Sequence, residues 1–156
     1  MEKIDHIDLK MLNHLQADGG LSQRDLAERV GISQNACWRR LQRLTAAGVI
    51  RGARANIDMA ALGYDLTVFV MIRTRHHSKD WADSFRKHVE HLPEVTEFYR
   101  IGGDWDYLIK VLTRGMSHYD AFYQRLITDF DLATVTGFFS MEAILENRPA
   151  DLTALK

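Results

Sequence analysis

Seven arginines fall within residues 21–54, where only Asp25 and Glu28 oppose them. The arginines are Arg24, Arg29, Arg39, Arg40, Arg43, Arg51 and Arg54. The segment carries a net charge of +5, whereas residues 1–20 carry −2 and residues 55–156 carry −4. Guanidinium groups bind phosphate and can read guanine, so a basic segment of this kind indicates a polyanion-binding surface. Charge alone is equally compatible with a solvated helix face.

Helix signals surround these arginines. The first helix is predicted from apolar residues at helical spacing that end at Gly19-Gly20, namely Ile4, Ile7, Met11, Leu12 and Leu15. Ser22, with Asp25 three residues later, is expected to cap a second helix that stops at Gly31. Ser33 caps a third helix, which lines its inner face with apolar residues and closes at Gly48. Two short helices joined by so tight a turn predict a helix-turn-helix.

The outer face of the third helix has the chemistry for reading DNA, because amides can read adenine and arginine can read guanine or bind phosphate. Val49 to Ile57 are expected to form a short β-hairpin that turns near Gly52 and acts as a wing. The residues predicted to contact double-stranded promoter or operator DNA are Ser22, Gln23, Ser33, Gln34, Asn35, Trp38, Arg39, Arg40, Arg43, Arg51 and Arg54. A connecting hairpin with solvated arginines is the alternative for residues 49–57.

The rest of the chain alternates strand and helix signals. We expect strands at 66–72, 95–101, 107–113 and 135–145. One helix is predicted between Ser78 and Pro93, and a second is predicted to be capped by Ser117. The resulting fold class is α+β, with an N-terminal winged helix-turn-helix followed by a ferredoxin-like βαββαβ domain.

The predicted strands carry apolar side chains on both faces, as in Phe69 beside Val68 and Phe138 beside Phe139. Helices cover only one face of such a sheet, so the other face needs a cover, most simply a second copy of the chain. The predicted organisation is a DNA-binding domain over 1–58, a linker over 59–65, a ligand-sensing and oligomerisation domain over 66–146 and a tail over 147–156.

Several short motifs recur in order along nearly the whole chain: Ile7-Asp8, the run from Leu26 to Ser33, Cys37 to Leu44, Gly48-Val49-Ile50, Leu92 to Val95, Gly103 to Leu108, and Met141-Glu142. Together they resemble the leucine-responsive/asparagine-regulator (Lrp/AsnC) family of bacterial transcription regulators. The resemblance implies a regulator of amino-acid metabolism, a homodimer that often assembles into octamers, and a free amino acid bound between subunits. That effector would modulate assembly or DNA affinity.

The effector site implied by the resemblance lies near the Gly-Asp turn. Its residues would be Gly102, Gly103, Asp104, Asp106, Met116, Phe138, Phe139 and Ser140. A glycine-rich turn exposes amides that can hold a carboxylate, and an aspartate can pair with an ammonium group. The bulky pair Phe138-Phe139 departs from a branched-chain amino acid sensor. Cys37-Trp38, His76-His77-Ser78 and Tyr119 to Leu126 are most similar to family members that respond to cysteine.

Other classes of function have less support in the sequence. His88 and His91 share a helix near His76-His77, but nothing completes an obvious metal-ligand set, so we expect no metal and no cofactor besides the amino-acid effector. Cys37 could sense oxidants, although its position indicates burial. Asp104, Asp106 and His118 form no nucleophile–base pair, so we expect no enzyme. A single cysteine and the lack of a long apolar run predict a cytoplasmic, nucleoid-associated protein without a membrane partner.

Overall fold

The computed structural model describes residues 4–152, so the outer ends of the predicted first domain and of the predicted tail lie outside the described residues. Within this range the chain divides into two compact units, Asp58–Ile144 and the remainder. Residues 145–152 belong to the N-terminal unit, where the amide side chain of Gln16 exchanges hydrogen bonds of 3.3 and 3.2 Å with the backbone of Ala150.

The N-terminal unit is built on α1 (His6–Ala17), α2 (Gln23–Val30) and α3 (Gln34–Ala46). Ser22 caps α2 and Ser33 caps α3, as the sequence predicts, each through a side-chain oxygen that accepts an amide hydrogen bond. These helices enclose a small core formed by Met11, Leu26, Ala27 and Cys37, each at most 1% exposed. The helix-turn-helix prediction is therefore confirmed.

The second unit contains β1 (Leu66–Thr74), α4 (Lys79–Glu90), β2 (Val95–Arg100), β3 (Tyr107–Thr113), α5 (Met116–Ile127) and β4 (Leu132–Phe139). In the described residues the strands form one antiparallel sheet in the order β2-β3-β1-β4. The connection in each βαβ unit therefore passes over one intervening strand. β3 lies between β1 and β2, and β1 lies between β3 and β4. This is the predicted ferredoxin-like βαββαβ arrangement.

One face of the sheet packs against α4 and α5. Val68, Val70 and Ile72 from β1 are completely buried there, together with Phe85 from α4 and Phe122 from α5. Burial of side chains of this size stabilises each unit by about 1.5–3 kcal/mol per residue. The alternation of buried positions with half-buried or exposed ones along β1 and β3 follows from the two-residue period of a strand.

The opposite face of the sheet carries apolar side chains without a cover from either helix. Phe69 and Phe138 are directly opposed across β1 and β4, and they are 38% and 54% exposed. Tyr99, which is 50% exposed, pairs with Leu108, and Leu108 pairs in turn with Met71. We call these five residues the open sheet face.

The predicted β-hairpin over Val49–Ile57 is not formed, because residues 51–57 contain neither strand nor helix. An isolated two-stranded hairpin is only marginally stable unless one of its faces packs on a core. Val49 and Ile57 are 41% and 57% exposed, so these apolar ends have little to pack against. Arg51 and Arg54 are exposed on a segment without regular secondary structure instead of a hairpin.

Two boundaries in the second unit differ from the sequence prediction. Helix α5 begins at Met116 after Gly115, whose φ of 116° allows the chain to turn out of β3, so Ser117 lies inside the helix and is not its cap. Strand β4 runs over Leu132–Phe139 and not over 135–145. It starts early because β1 extends to Thr74 and offers it a partner. It ends at Phe139, although the Ser140 amide still donates to the Thr67 carbonyl of β1.

Smaller differences affect β1, which continues past Ile72, and β2, which ends at Arg100 before Ile101. Part of the predicted linker forms a 3-10 turn at Ala60–Leu62. None of the helices within residues 4–152 combines the length and apolar character that a membrane crossing requires.

Candidate DNA-binding surface and effector site

The turn between α2 and α3 is shaped by a glycine and a serine. Gly31 adopts a left-handed conformation with φ of 76°, and its amide donates to the carbonyls of Ala27 and Glu28. After Ile32, the Ser33 hydroxyl accepts the Ala36 amide at 3.2 Å and starts α3. Left-handed geometry favours glycine, and at Gly31 it ends α2 and turns the chain toward α3. This position therefore determines the angle between the two helices.

The outward face of α3 bears three of the predicted DNA contacts together with Gln42, which the predicted list does not include. Asn35, Trp38, Arg39 and Gln42 are exposed and recur at intervals of three and four residues, so they form one stripe along the helix. Trp38 is 52% exposed, which is unusual for so large an apolar side chain. We call these four residues the α3 stripe. Their amide, guanidinium and indole groups suit contact with base edges and phosphates.

Two other predicted DNA contacts, Arg40 and Arg43, are ion-paired inside the unit. Arg40 donates to Asp8 and to Asp5, both at 2.7 Å, and Arg43 donates to the other oxygen of Asp8. The Asp8 side chain is completely buried, whereas the two arginine side chains are 25% and 29% exposed. Both guanidinium groups therefore fix α3 against the start of α1.

Asp8 and Asp5 also cap α1 reciprocally. The Asp8 amide donates to Asp5 at 2.9 Å, and the Asp5 amide donates to Asp8 at 3.0 Å. The sequence analysis missed this capping box, although two aspartates three residues apart before an apolar helix are a signal for it. With both caps and arginines in place, the Asp8 carboxylate is satisfied on each oxygen.

This network lowers the pKa of both aspartates. The Asp8 amide, followed by Arg40, lowers the pKa of Asp5 from 3.8 to about 2. Burial raises the pKa of Asp8, but the Asp5 amide and the guanidiniums of Arg43 and Arg40 outweigh burial and leave it below its ordinary value. Both carboxylates are therefore ionised at neutral pH and hold the two arginines electrostatically.

The remaining predicted DNA contacts are placed as follows. The hydroxyls of Ser22 and Ser33 are engaged in helix caps. The Gln23 side chain donates to the carbonyl of Gln34 at 3.0 Å, which joins the starts of α2 and α3. The side chain of Gln34 is exposed beside the α3 stripe, whereas Arg51 and Arg54 are exposed on the segment that follows α3.

The first group of predicted effector residues lies in the turn between β2 and β3. Gly103 has φ of 111°, and the turn closes where the Ile101 amide donates to the Asp106 carbonyl at 2.9 Å. The Asp106 carboxylate accepts the Thr74 amide at 2.8 Å. Gly102, Gly103 and Asp104 are exposed at the tip. Asp106 therefore fixes the turn to the end of β1 and leaves Asp104 as the exposed carboxylate.

The second group of predicted effector residues lies at the other end of the sheet. The Ser140 amide donates to the Thr67 carbonyl near the start of β1, whereas the Asp106 amide donates to Ile72 near its end. Five residues of strand separate these points, which corresponds to about 17 Å. Met116, Phe138 and Phe139 are 59%, 54% and 45% exposed. Within one chain, the two groups do not form one pocket.

The alternative chemistries find little support in the described residues. Nowhere in residues 4–152 do three histidine, cysteine or acidic side chains come together as potential metal ligands. Cys37 is completely buried, and burial raises the pKa of its thiol. A buried thiol with a raised pKa has little of the reactive thiolate that oxidant sensing requires.

Comparison with known proteins identifies the class to which this architecture belongs. A winged helix-turn-helix DNA-binding model matches residues 4–51, and an Lrp/AsnC ligand binding domain model matches residues 67–150. Together they define a DNA-binding transcriptional regulator with a ligand-binding domain, and not an enzyme. The chain belongs to the Lrp/AsnC family.

Relatives are similar along nearly the whole chain. The glutamate uptake regulatory protein of Zymomonas mobilis is 43% identical over 144 residues, which cover 92% of this chain and 88% of that protein. An AsnC family transcriptional regulator from Agrobacterium tumefaciens superimposes with a TM-score of 0.92 and 41% identity, covering 98% of this chain and 100% of that chain. A regulator from Neisseria meningitidis in complex with L-Met gives a TM-score of 0.91 at 28% identity, covering 99% and 100%.

The buried aspartate predicts a specific response to acid. Asp8→Asn should lower the free energy of unfolding at pH 7 by roughly 2–4 kcal/mol, less than a fully buried ion pair because the guanidiniums remain partly exposed. A carboxylate whose pKa is lower in the folded state stabilises the protein above its unfolded pKa, and this contribution is lost as pH falls through the folded value. The difference between variant and wild type should therefore shrink as the pH falls below about 4.

Denaturant unfolding followed by circular dichroism between pH 7 and pH 2 measures this difference. Asp18→Asn, which removes an exposed carboxylate at the other end of α1, is the matched control and should stay close to wild type throughout. A gap between Asp8→Asn and wild type that remained constant down to pH 2 would contradict the electrostatic role of Asp8.

Proposed function

We propose that this regulator binds duplex DNA sequence-specifically by inserting the α3 stripe into the major groove. The main support for this proposal is the division of the side chains of α3. Arg40 and Arg43 form ion pairs with Asp8, whereas the residues of the α3 stripe remain exposed on one side of the helix. In this proposal Arg39 and the two amides read base edges, and the indole of Trp38 contacts a thymine methyl group. Arg51 and Arg54 contact backbone phosphate, so binding weakens as salt rises.

The positions of Arg40 and Arg43 refine the predicted interface. A guanidinium that neutralises a buried carboxylate is costly to withdraw, because the carboxylate would be left unpaired. We therefore assign these two arginines to positioning α3, with the groups at its surface free to contact DNA. The exposed polar side chain of Gln34 and the amide-bearing start of α3 lie where a phosphate would meet the helix.

The open sheet face supports the proposal that the chain functions as a homodimer. Phe69, Tyr99 and Phe138 form an exposed apolar surface on one side of a sheet whose other side is fully covered. A second copy would bury this surface against itself and place two recognition helices at successive major grooves of a partly palindromic site. Further association into an octamer is proposed from the family resemblance.

We also propose that a free amino acid binds between subunits and changes assembly or DNA affinity, in the control of amino-acid metabolism. The predicted effector residues occupy opposite ends of the sheet, so a single ligand that contacts both groups requires two chains. The L-Met complex of the Neisseria regulator and the name of the Zymomonas relative both connect such proteins with amino acids. The ligand acts by its differential affinity for two assembly states.

Arg39→Ala tests direct readout. For a duplex selected in vitro by the wild-type protein, fluorescence anisotropy should show a 5- to 150-fold loss of affinity. This loss corresponds to about 1–3 kcal/mol of base discrimination. The loss on random DNA should be several-fold smaller. Arg86→Ala, which removes an exposed helical arginine from the other unit, is the control and should bind as wild type does. Equal losses on selected and random duplexes would make Arg39 a phosphate contact only.

Phe138→Asp tests the dimer. The side chain is 54% exposed in the single chain, so a charge there leaves the fold intact but cannot be buried against a second copy. Light scattering should give the wild type at least twice the chain mass of 18.0 kDa and the variant one chain mass. Met141→Asp, at a fully exposed residue beyond β4, should retain the wild-type mass. A dimeric Phe138→Asp variant would exclude the open sheet face as the interface.

The effector is tested by light scattering with each of the twenty amino acids. One amino acid should change the mass or the thermal stability of the assembly, and Asp104→Asn should abolish this response while leaving the mass without ligand unchanged. A selective response to cysteine would agree with the motifs around Trp38, His77 and Tyr119. A mass that is indifferent to all twenty would contradict amino-acid control of assembly and leave DNA binding unaffected.

A further inference from the structure

A cavity lined in part by charged side chains lies within the sheet unit, away from the Gly-Asp turn. It has a volume of about 320 Å³ and is lined by Tyr64, Pro93, Glu94, Thr113, Arg114 and His118. This volume falls at the lower end of the range of about 300–1,000 Å³ that is usual for small-molecule sites. The described residues on all sides of the cavity belong to one unit of one chain.

Glu94 contributes a carboxylate with one oxygen engaged and the other without a partner. Its Oε1 pairs with the guanidinium of Arg125, which also donates to the Ala121 carbonyl and is thereby fixed along α5. Its Oε2 is buried and accepts no hydrogen bond from the described residues. A buried carboxylate oxygen without a donor is costly, and native proteins satisfy such groups in the great majority of cases.

The basic residues that line the cavity, Arg114 and His118, form no ion pair with Glu94. Arg114 is placed with its guanidinium carbon 4.6 Å from the centre of the Tyr64 ring, in a cation–π contact. His118 is exposed, one helical turn into α5. The Thr113 hydroxyl donates to the Gly115 carbonyl and so cannot donate to Glu94 at the same time. The lining of the cavity thus includes both a hydrogen-bond acceptor and a guanidinium.

A small molecule that carries an ammonium group and a carboxylate matches these two groups, the Glu94 carboxylate and the Arg114 guanidinium. We propose that the cavity is a second ligand site, which binds a zwitterionic α-amino acid with its ammonium group on Glu94 Oε2 and its carboxylate on Arg114. The ammonium group supplies the donor that the buried oxygen lacks, in a charge-assisted hydrogen bond. Planar guanidinium groups suit carboxylates because they can donate two parallel hydrogen bonds.

This site is distinct from the interface site of the proposed function. Thr113 ends β3 and Tyr107 begins it, so the length of that strand, about 20 Å, separates the cavity from the Gly-Asp turn. The cavity is complete in one chain, whereas the interface site requires two. Tyr64 follows directly on the 58–63 segment that joins the sheet unit to the DNA-binding unit, so a ligand that engages Arg114 acts on the residues next to this connection.

Isothermal titration calorimetry of the full chain with the twenty L-amino acids tests the proposal. Glu94→Gln should weaken one binding event roughly 10- to 100-fold, because an amide oxygen can still accept from Arg125 but offers no charge to an ammonium group. Arg114→Gln should weaken the same event and, being an exposed substitution, leaves the fold intact. Glu90→Gln, which changes an exposed carboxylate outside the cavity, should bind as wild type does.

Two further measurements separate this site from the interface site. The binding event that depends on Glu94 should persist in Asp104→Asn and in the Phe138→Asp monomer, whereas a site between subunits should be lost in both. For each amino acid that binds, the matching amine without a carboxylate and the matching acid without an amine should bind at least tenfold more weakly, because each lacks one of the two groups.

Several results would overturn the proposal. They are the absence of binding by any of the twenty amino acids, equal binding by Glu94→Gln and wild type, or a loss in Glu94→Gln that Asp104→Asn reproduces. A crystal structure grown with saturating ligand, in which Arg114 or only an ordered water satisfies Glu94 Oε2, would overturn it as well. If Asp104→Asn did not abolish the response to the amino acid while the Glu94-dependent binding event was retained, the result would contradict the interface site alone.

Discussion

The orientation of the recognition helix depends on one buried carboxylate. Asp8 is inaccessible to solvent, and its two oxygens accept from Arg40 and Arg43 on α3 as well as from the capped start of α1. Removing charges from water is costly, so this arrangement adds less net stability than its short distances suggest. Its main consequence is geometric, because any other rotation of α3 would leave a buried aspartate unpaired. The α3 stripe therefore faces outward in a fixed direction.

The same interaction changes how the basic segment should be interpreted. The sequence of residues 21–54 has a net charge of +5, but two of its seven arginines are compensated by aspartates of the preceding segment, and Arg24 pairs with Glu28. The exposed positive charge that remains in this segment is smaller and lies on Arg29, Arg39, Arg51 and Arg54. A charge count along a sequence cannot reveal this, because Asp8 and Arg43 are 35 residues apart and only the fold brings them together.

Local signals predicted most of the fold, and non-local ones account for the errors. Ser22, Ser33 and Ser78 were recognised as helix caps because a cap depends on three or four consecutive residues. Ser117 was wrongly assigned as a cap because Gly115, with its positive φ, already starts the helix. The start of β4 differs from the prediction because it depends on pairing with the end of β1, more than fifty residues earlier. The ion pairs of Arg40 with Asp5 and Asp8 are likewise non-local, and no local pattern indicates them.

The sheet has two requirements that one chain does not meet. Its open face exposes Phe69 opposite Phe138, and its implied effector residues are divided between the Gly-Asp turn and the far end of β4. Dimerisation through the open face would satisfy the first requirement. The second requires that the turn of one chain meet the far end of β4 in another. A ligand at such a junction would stabilise the assembly that contains it in preference to separate chains, and this difference in affinity is what a change of assembly with amino-acid concentration requires.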